Sequence, residues 1–270
     1  MSFMPAQETL NLALVQTSLH WEDPLANRNQ FTELLANLPL VDLIVLPEMF
    51  TTGFSMQPAK LAEEMEGPTL AWMKEMATLR QAAITGSIII KERGRYLNRL
   101  LFVYPNGDYR FYDKKHLFTL AGEEKHYKPG TRKLILEYRG WRINPQICYD
   151  LRFPVWCRNS EQFDLQIFVA NWPERRAVAW KTLLKARAIE NMCFAAGLNR
   201  VGKDGNGVYH SGDSVVRDPL GTRISYIEPG AQSVALVQLE YHRITEARSK
   251  FAFLNDGDEF ILKPRPDILM

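Results

Sequence analysis

Cys148 stands where a strand-like run, Ile143-Asn144-Pro145-Gln146-Ile147, meets the charged turn Tyr149-Asp150-Leu151-Arg152, which Pro154 then redirects. A thiol carried to the end of a strand and exposed on a turn is well placed to act as a nucleophile. Two other strand ends offer complementary chemistry: Glu48 closes Leu43-Ile44-Val45-Leu46-Pro47, and Lys114 follows the alternating segment Tyr109-Arg110-Phe111-Tyr112-Asp113. Because a thiol attacks a carbonyl as thiolate, Cys148 needs a base or a positive charge to bring its pKa down from about 8.5. Glu48 could be that base and Lys114 that charge. An ammonium there would also meet the negative charge developing on a carbonyl oxygen, together with a backbone N–H such as that of Tyr149.

Each of these residues also has a plainer reading. Free cysteine usually behaves as a small buried hydrophobe, and Cys157 and Cys193 are read that way. Glu48 could cap a helix or face water. If its β-rich run is buried, however, the carboxylate must be paired or hydrogen-bonded, since an isolated buried charge is too costly. Lys114 and Lys115 are neighbours and so point to opposite sides, leaving one solvated. Glu123 and Glu124 pose the same choice. Among the five histidines, His116 is the candidate for a Cys–His dyad, although the favoured reading has it orienting the loop after Lys114. Asp150 and Arg152 are expected to brace the nucleophile turn.

The elements that must position these groups follow from periodicity. Leu10, Leu12 and Leu14 alternate as a first strand, and Leu25, Phe31, Leu34, Leu35 and Leu38 recur at helical spacing over 24–38. A strand at 41–46, a helix opened by Pro68 and a β-branched strand at 83–90 come next. Pro105-Asn106-Gly107 joins 97–104 to 108–113 as an antiparallel hairpin. Residues 114–131 form a long charged loop, of the kind that is usually functional inside a compact domain. Beyond it lie strands near 133–139, 141–147 and 164–170, a helix over 176–191, and strands near 192–199, 213–217 and 232–239. Alternating strands and helices with hairpins between them predict an α/β domain with mixed sheets and helices outside.

Composition narrows the function. With 33 Lys+Arg against 31 Asp+Glu and no basic block or acidic tail, neither nucleic acid nor a membrane surface is an expected partner, and a small neutral or anionic substrate is. Three cysteines without Cys-x-x-Cys spacing argue for reduced thiols in a cytoplasmic setting and against a disulfide scaffold or structural zinc. The N-terminus carries no signal-like segment, and no apolar run approaches the roughly 18 residues of a membrane span.

Taken together, Leu46-Pro47-Glu48, Tyr112-Asp113-Lys114-Lys115-His116-Leu117-Phe118 and Ile147-Cys148-Tyr149-Asp150-Leu151-Arg152-Phe153-Pro154 resemble the three signature segments of the carbon–nitrogen hydrolase (nitrilase) superfamily. Arg187-Ala188-Ile189-Glu190-Asn191 and Gly212 to Gly221 extend the likeness. It implies Glu48 as general base, Lys114 as oxyanion-stabilising lysine and Cys148 as nucleophile. A second glutamate usually precedes a Pro-Gly pair by six residues, and Pro129-Gly130 selects Glu123. The resemblance further implies a single-domain α-β-β-α sandwich over 9–245, a C-terminal extension at 246–270 packing on the domain or a partner, a homodimer or larger assembly, and no cofactor or metal. Within the superfamily, Pro47 to Phe54, Val169-Ala170-Asn171-Trp172-Pro173 and Gly197 to Gly202 look most like omega-amidases, which release ammonia from the terminal amide of 2-oxo acids such as 2-oxoglutaramate. A substrate of that kind needs a cation for its far carboxylate, and Arg175 or Arg176 is placed for it. Phe54, Tyr127 and Trp172 are expected to wall the pocket. The alternatives are an amidase for carbamoylated amines or deaminated glutathione, and a catalytically silent scaffold.

Overall fold

The structure is a computed structural model and describes residues 6–263. Among these described residues, thirteen strands are interspersed with seven α-helices. The strands are β1 (Thr9–Gln16), β2 (Leu43–Val45), β3 (Ala83–Glu92), β4 (Arg95–Val103), β5 (Tyr109–Asp113), β6 (Leu136–Tyr138), β7 (Trp141–Ile147), β8 (Leu165–Ala170), β9 (Phe194–Asn199), β10 (Val201–Lys203), β11 (Tyr209–Ser211), β12 (Val215–Arg217) and β13 (Ser233–Glu240). The helices are α1 (Pro24–Ala36), α2 (Pro58–Leu61), α3 (Pro68–Arg80), α4 (Glu123–His126), α5 (Pro154–Cys157), α6 (Ala177–Asn191) and α7 (His242–Phe251).

Two mixed sheets carry the architecture, a six-stranded one ordered β13-β1-β2-β3-β4-β5 and a five-stranded one ordered β12-β9-β8-β7-β6. In each, a parallel centre is flanked by antiparallel strands: β1, β2 and β3 run parallel in the first, β7, β8 and β9 in the second. Strand alternation turns Leu12, Leu14, Val45 and Phe102 of the first sheet toward Ile143, Ile147, Ile167 and Val169 of the second, and these form one buried core. On its outer face the first sheet packs Ile44, Ile84 and Ile88 against Phe31 and Leu35 of α1 and Leu70, Met73 and Met76 of α3. Helix α6 covers the second sheet, and Gly197 permits its close approach, because a Cβ there would lie 2.3 Å from Leu184 Cδ1. The layers are therefore α-β-β-α. Among the described residues no helix is long and apolar enough to cross a membrane.

Differences from the periodicity reading lie at edges. Leu25, assigned to the buried stripe of α1, is exposed: it sits in the first turn, which begins at Pro24 and is capped by Asp23, whose Oδ1 accepts the Ala26 N–H at 3.0 Å. The β10–β11 hairpin and α2, α5 and α7 are too short or too polar to leave a period. Helix α7 runs across residue 245. It buries Ile244 and Ala247, and Arg248 bonds Asp164 Oδ1 at 3.0 Å and the Phe163 carbonyl at 2.6 Å. The extension expected at 246–270 thus begins inside a docked helix, and its residues 264–270 lie outside those described.

Candidate active site

Strand ends from both sheets converge on one buried point. Glu48 lies beyond β2, Lys114 follows β5, Cys148 follows β7 and Asn171 follows β8. Carboxyl ends of parallel strands are where α/β sheets commonly hold ligands. Cys148 adopts φ +44°, as does Met49 directly after Glu48. This left-handed backbone is costly for a residue with a Cβ, and such strain collects at functional sites.

Lys114 ties the charges together. Its Nζ donates to Glu48 Oε1 at 2.8 Å and to Glu123 Oε2 at 2.9 Å, and all three side chains are fully buried. Glu48 is held on its other side by the Asn171 main-chain N–H, which reaches Oε2 at 2.9 Å, while the Asn171 side-chain amide donates to the Glu48 carbonyl at 2.6 Å. Asn98 Nδ2 donates to Glu48 Oε1 at 2.9 Å and more weakly to Glu123 Oε1 at 3.4 Å. Glu123 also accepts the Phe118 N–H at 2.6 Å. Glu124 is exposed, so the loop turns Glu123 inward, as its distance from Pro129-Gly130 implies. That pair closes the loop: the Gly130 N–H donates to the Lys114 carbonyl at 2.8 Å, and a Cβ at Gly130 would lie 2.1 Å from the Asp113 oxygen.

Burial sets the protonation states. It pulls the Lys114 ammonium toward neutrality, but the charges of Glu123 and Glu48 override this and hold its pKa above the ordinary lysine range. Glu123 is raised by burial, against the pull of Lys114. The Cys148 thiol is also raised, first by burial and then by the Glu48 charge, with Lys114 and the Asn171 backbone acting the other way. The resting sulfur is therefore a thiol. This corrects the expectation of a depressed thiol pKa, because burial and the Glu48 charge together outweigh the pull of Lys114.

Asp150 braces the turn, as expected. Its Oδ2 accepts from Tyr112 Oη at 2.8 Å and from the Ile147 N–H at 3.2 Å, and its Oδ1 accepts the His116 N–H at 2.9 Å. His116 Nδ1 lies 2.8 Å from the same Oδ1, and the ring stacks on Phe153 at 3.7 Å. These contacts suit an orienting residue and give no support to a Cys–His dyad. Lys114 is buried and Lys115 half-exposed, the division expected of neighbours. Cys157 and Cys193 are buried and, like Cys148, free.

Above Cys148 and Lys114 opens a cavity of about 120 Å³. Phe54 and Trp172 wall it, with Tyr149 beside the thiol. Tyr149 lies in the first turn of a short helical segment, Cys148–Arg152, where N–H donors have no partner within the turn. The Phe54 ring lies 5.0 Å from Lys114 Nζ. Arg152, Arg175 and Arg176 also line the cavity. Arg152 lies over the Trp172 ring at 5.1 Å and Arg176 over Phe118 at 5.0 Å. The Arg176 pKa is lowered by burial and then by Arg175. Tyr127, expected in the wall, is not part of it: its ring is buried with Met49, Leu61 and Leu117, and its hydroxyl donates to the Ser55 carbonyl at 2.6 Å.

Residue-by-residue reading overlooked several participants. Asn98 is a polar residue inside an apolar strand, and Asp204, Asn206 and His210 reach the cavity from the β10–β11 hairpin, marked in the sequence only by Asp204-Gly205-Asn206-Gly207. His210 is pushed down to about 4 by burial and by Arg200, so it is neutral. Among the described residues no group of three or more His, Cys, Asp or Glu side chains could hold a metal ion.

The assembled geometry has counterparts in known proteins. Residues 11–249 match the carbon-nitrogen hydrolase family. Omega-amidase YafV of Yersinia enterocolitica is 45% identical over 94% of this chain and 99% of its own. A 2-oxoglutaramate amidase of Bacillus subtilis is 30% identical over 80% of this chain and 84% of its own. The crystal structure of a CN-hydrolase superfamily protein from Xanthomonas campestris, with an arsenic adduct in its active site, superposes with a TM-score of 0.92 at 47% identity, covering 95% of this chain and 100% of that one. By the family match, the identity and the shared fold, this chain belongs to the carbon–nitrogen hydrolase family.

Proposed function

We propose that this hydrolase is an omega-amidase, cleaving the terminal amide of small 2-oxo acids, 2-oxoglutaramate and 2-oxosuccinamate, to the dicarboxylate and ammonia through a thioester on Cys148. One observation carries the reading: a small cavity is lined both by Cys148 and Lys114 and by Arg152, Arg175 and Arg176. That lining suits a substrate that carries a reactive amide and a carboxylate. The omega-amidase and 2-oxoglutaramate amidase names of the relatives support it.

In this mechanism the proton leaves Cys148 during attack, because the resting thiol is neutral. Glu48 takes that proton as sulfur bonds to the amide carbon, and Lys114 with the Tyr149 N–H stabilises the oxyanion. Glu48 returns the proton to the departing nitrogen and ammonia leaves. It then removes a proton from water attacking the thioester; the carboxylate departs and the thiol is restored. Glu123 keeps the ammonium in place. Phe54 and Trp172 exclude water, and Arg176 with Arg175 or Arg152 holds the far carboxylate.

Ammonia release tests the proposal, measured on 2-oxoglutaramate, carbamoyl-β-alanine, a deaminated glutathione and a simple nitrile. Turnover should be greatest on 2-oxoglutaramate and abolished by Cys148→Ala. Equal turnover in that variant, or preference for the carbamoyl or peptide substrate, would reject it. Arg176→Leu should raise KM for 2-oxoglutaramate about tenfold or more, the scale of one charge-assisted hydrogen bond, while leaving a neutral monoamide unaffected.

The same reading takes the enzyme to be a cytoplasmic homodimer. Three free, buried thiols support a reducing compartment. Exposed Val155 on α5, Val178 and Ile189 on α6 and nearby Leu220 offer an apolar pairing face. Sedimentation at twice the 31.1 kDa chain mass would support pairing, and the single mass would refute it.

A further inference from the structure

Asn98 lies in the middle of β4, on a strand whose neighbours Leu97, Leu100 and Leu101 belong to the core, yet it is 1% exposed. A buried amide in such a strand needs partners. It finds them on all three charged residues of the cluster. Its Nδ2 donates to Glu48 Oε1 at 2.9 Å and to Glu123 Oε1 at 3.4 Å, and its main-chain carbonyl accepts the Lys114 N–H at 3.0 Å. Its Oδ1 has no partner, so the amide is oriented by what it gives to the carboxylates.

We propose that Asn98 is a positioning residue for the amidase reaction, a neutral donor that keeps the Glu48 carboxylate aimed while it shares Lys114 with Glu123. This rests on the functional reading above. Two carboxylates around one ammonium leave an excess negative charge in a buried cluster, and the Glu48 charge adds to the burial that raises Glu123. A second cation would neutralise that excess, but it would also draw Glu48 away from the sulfur. An amide donor stabilises the charged form without competing for the proton. It also fixes the Glu48 oxygen that already meets Lys114, leaving Oε2 with the Asn171 N–H at 2.9 Å. The ionisable groups facing Glu48 are Lys114 from β5, Glu123 from the following loop and Cys148 from β7, and Tyr127 is close enough to feel the Glu48 and Glu123 charges.

Asn98→Asp keeps the shape but exchanges the neutral amide for a third carboxyl group facing Glu48 and Glu123, whereas Asn98→Ser keeps a shorter neutral donor. With the amide the wild type hydrolyses best, Asn98→Asp should lower kcat about 10- to 100-fold, the range of one hydrogen bond to a charged group, with KM changed less than about threefold. The acid limb of kcat should move to higher pH, since a third carboxyl group beside the two already present makes loss of protons from the cluster harder. Asn98→Ser should recover part of kcat and of the limb. A side chain that merely fills space would lower the melting temperature and leave the pH profile of the folded fraction unchanged.

Iodoacetamide alkylation of Cys148 against pH gives a second readout that needs no substrate. Its rate at neutral pH, where Glu48 assists, should fall in Asn98→Asp and return in Asn98→Ser. Wild-type kcat and pH profile in Asn98→Asp, or a loss confined to KM, would overturn the assignment. If the wild type released no ammonia from any amide, the functional reading would fail. The alkylation profiles would then still decide whether Asn98 acts on the Cys148–Glu48 pair.

Discussion

Replacing Lys114 by methionine keeps most of the side-chain volume and deletes the charge that, alone among the described residues, pairs with both Glu48 and Glu123. Removing one partner of a buried ion pair costs about 3–5 kcal/mol, because the remaining charge is left without compensation. Here two carboxylates remain, bridged by Asn98 alone. The loss should depend on pH. Glu123 is already raised by burial, and losing Lys114 raises it further. A carboxyl group raised in the folded state costs stability as pH climbs through its unfolded value near 4.3, and the cost levels off above its folded value. Urea unfolding should therefore show Lys114→Met nearly level with wild type near pH 4 and furthest below it near pH 8. A second substitution inverts a sign. Glu123→Gln alone weakens the cluster, but added to Lys114→Met it removes an orphaned charge, and the double variant should be more stable than Lys114→Met by about 1–3 kcal/mol. Ammonia release should fall at least about 100-fold in either Lys114 variant, the cost of losing an oxyanion donor. Unfolding of Lys114→Met at the wild-type midpoint at pH 8, or further loss on adding Glu123→Gln, would refute the reasoning.

Other consequences can be checked with the same assays. Cys148 holds φ +44°, so Cys148→Gly should melt no lower than Cys148→Ala, although glycine ordinarily costs about 0.5–1 kcal/mol relative to alanine; both should be inactive, and a clear deficit for glycine would show that the turn is unstrained. Asp150→Asn turns one of two accepting oxygens into an NH2 group, so that either Tyr112 Oη and the Ile147 N–H or the His116 N–H faces a donor instead of an acceptor; it should cost about 1–3 kcal/mol and lower kcat by loosening Cys148 against Lys114, whereas wild-type kcat would remove Asp150 as the brace. Because burial is the foremost cause that raises the Cys148 thiol and persists when the Glu48 charge is removed, its alkylation in Glu48→Gln should be slow at pH 7 and keep rising above pH 9; a plateau near pH 6 would show a preformed thiolate.

What the sequence determined was local. Periodicity located the central strands and the long helices, because a buried face imposes its repeat on every residue of an element. Cys148, Glu48 and Lys114 were legible because each charged or reactive group ends a strand-like run, and Glu123 was separable from Glu124 only through its distance from Pro129-Gly130. Tertiary structure decided what no local pattern encodes. Asn98 on β4 and Asn171 beyond β8 reach Glu48 from opposite sheets, and the β10–β11 hairpin brings Asp204 and His210 to the cavity. Tyr127, an aromatic in the right loop, turned inward to Ser55 instead. The direction of the thiol shift was likewise a three-dimensional matter. The shift combines burial of the sulfur with the opposed charges of Glu48 and Lys114, and both the burial and the distances exist only once the two sheets have packed.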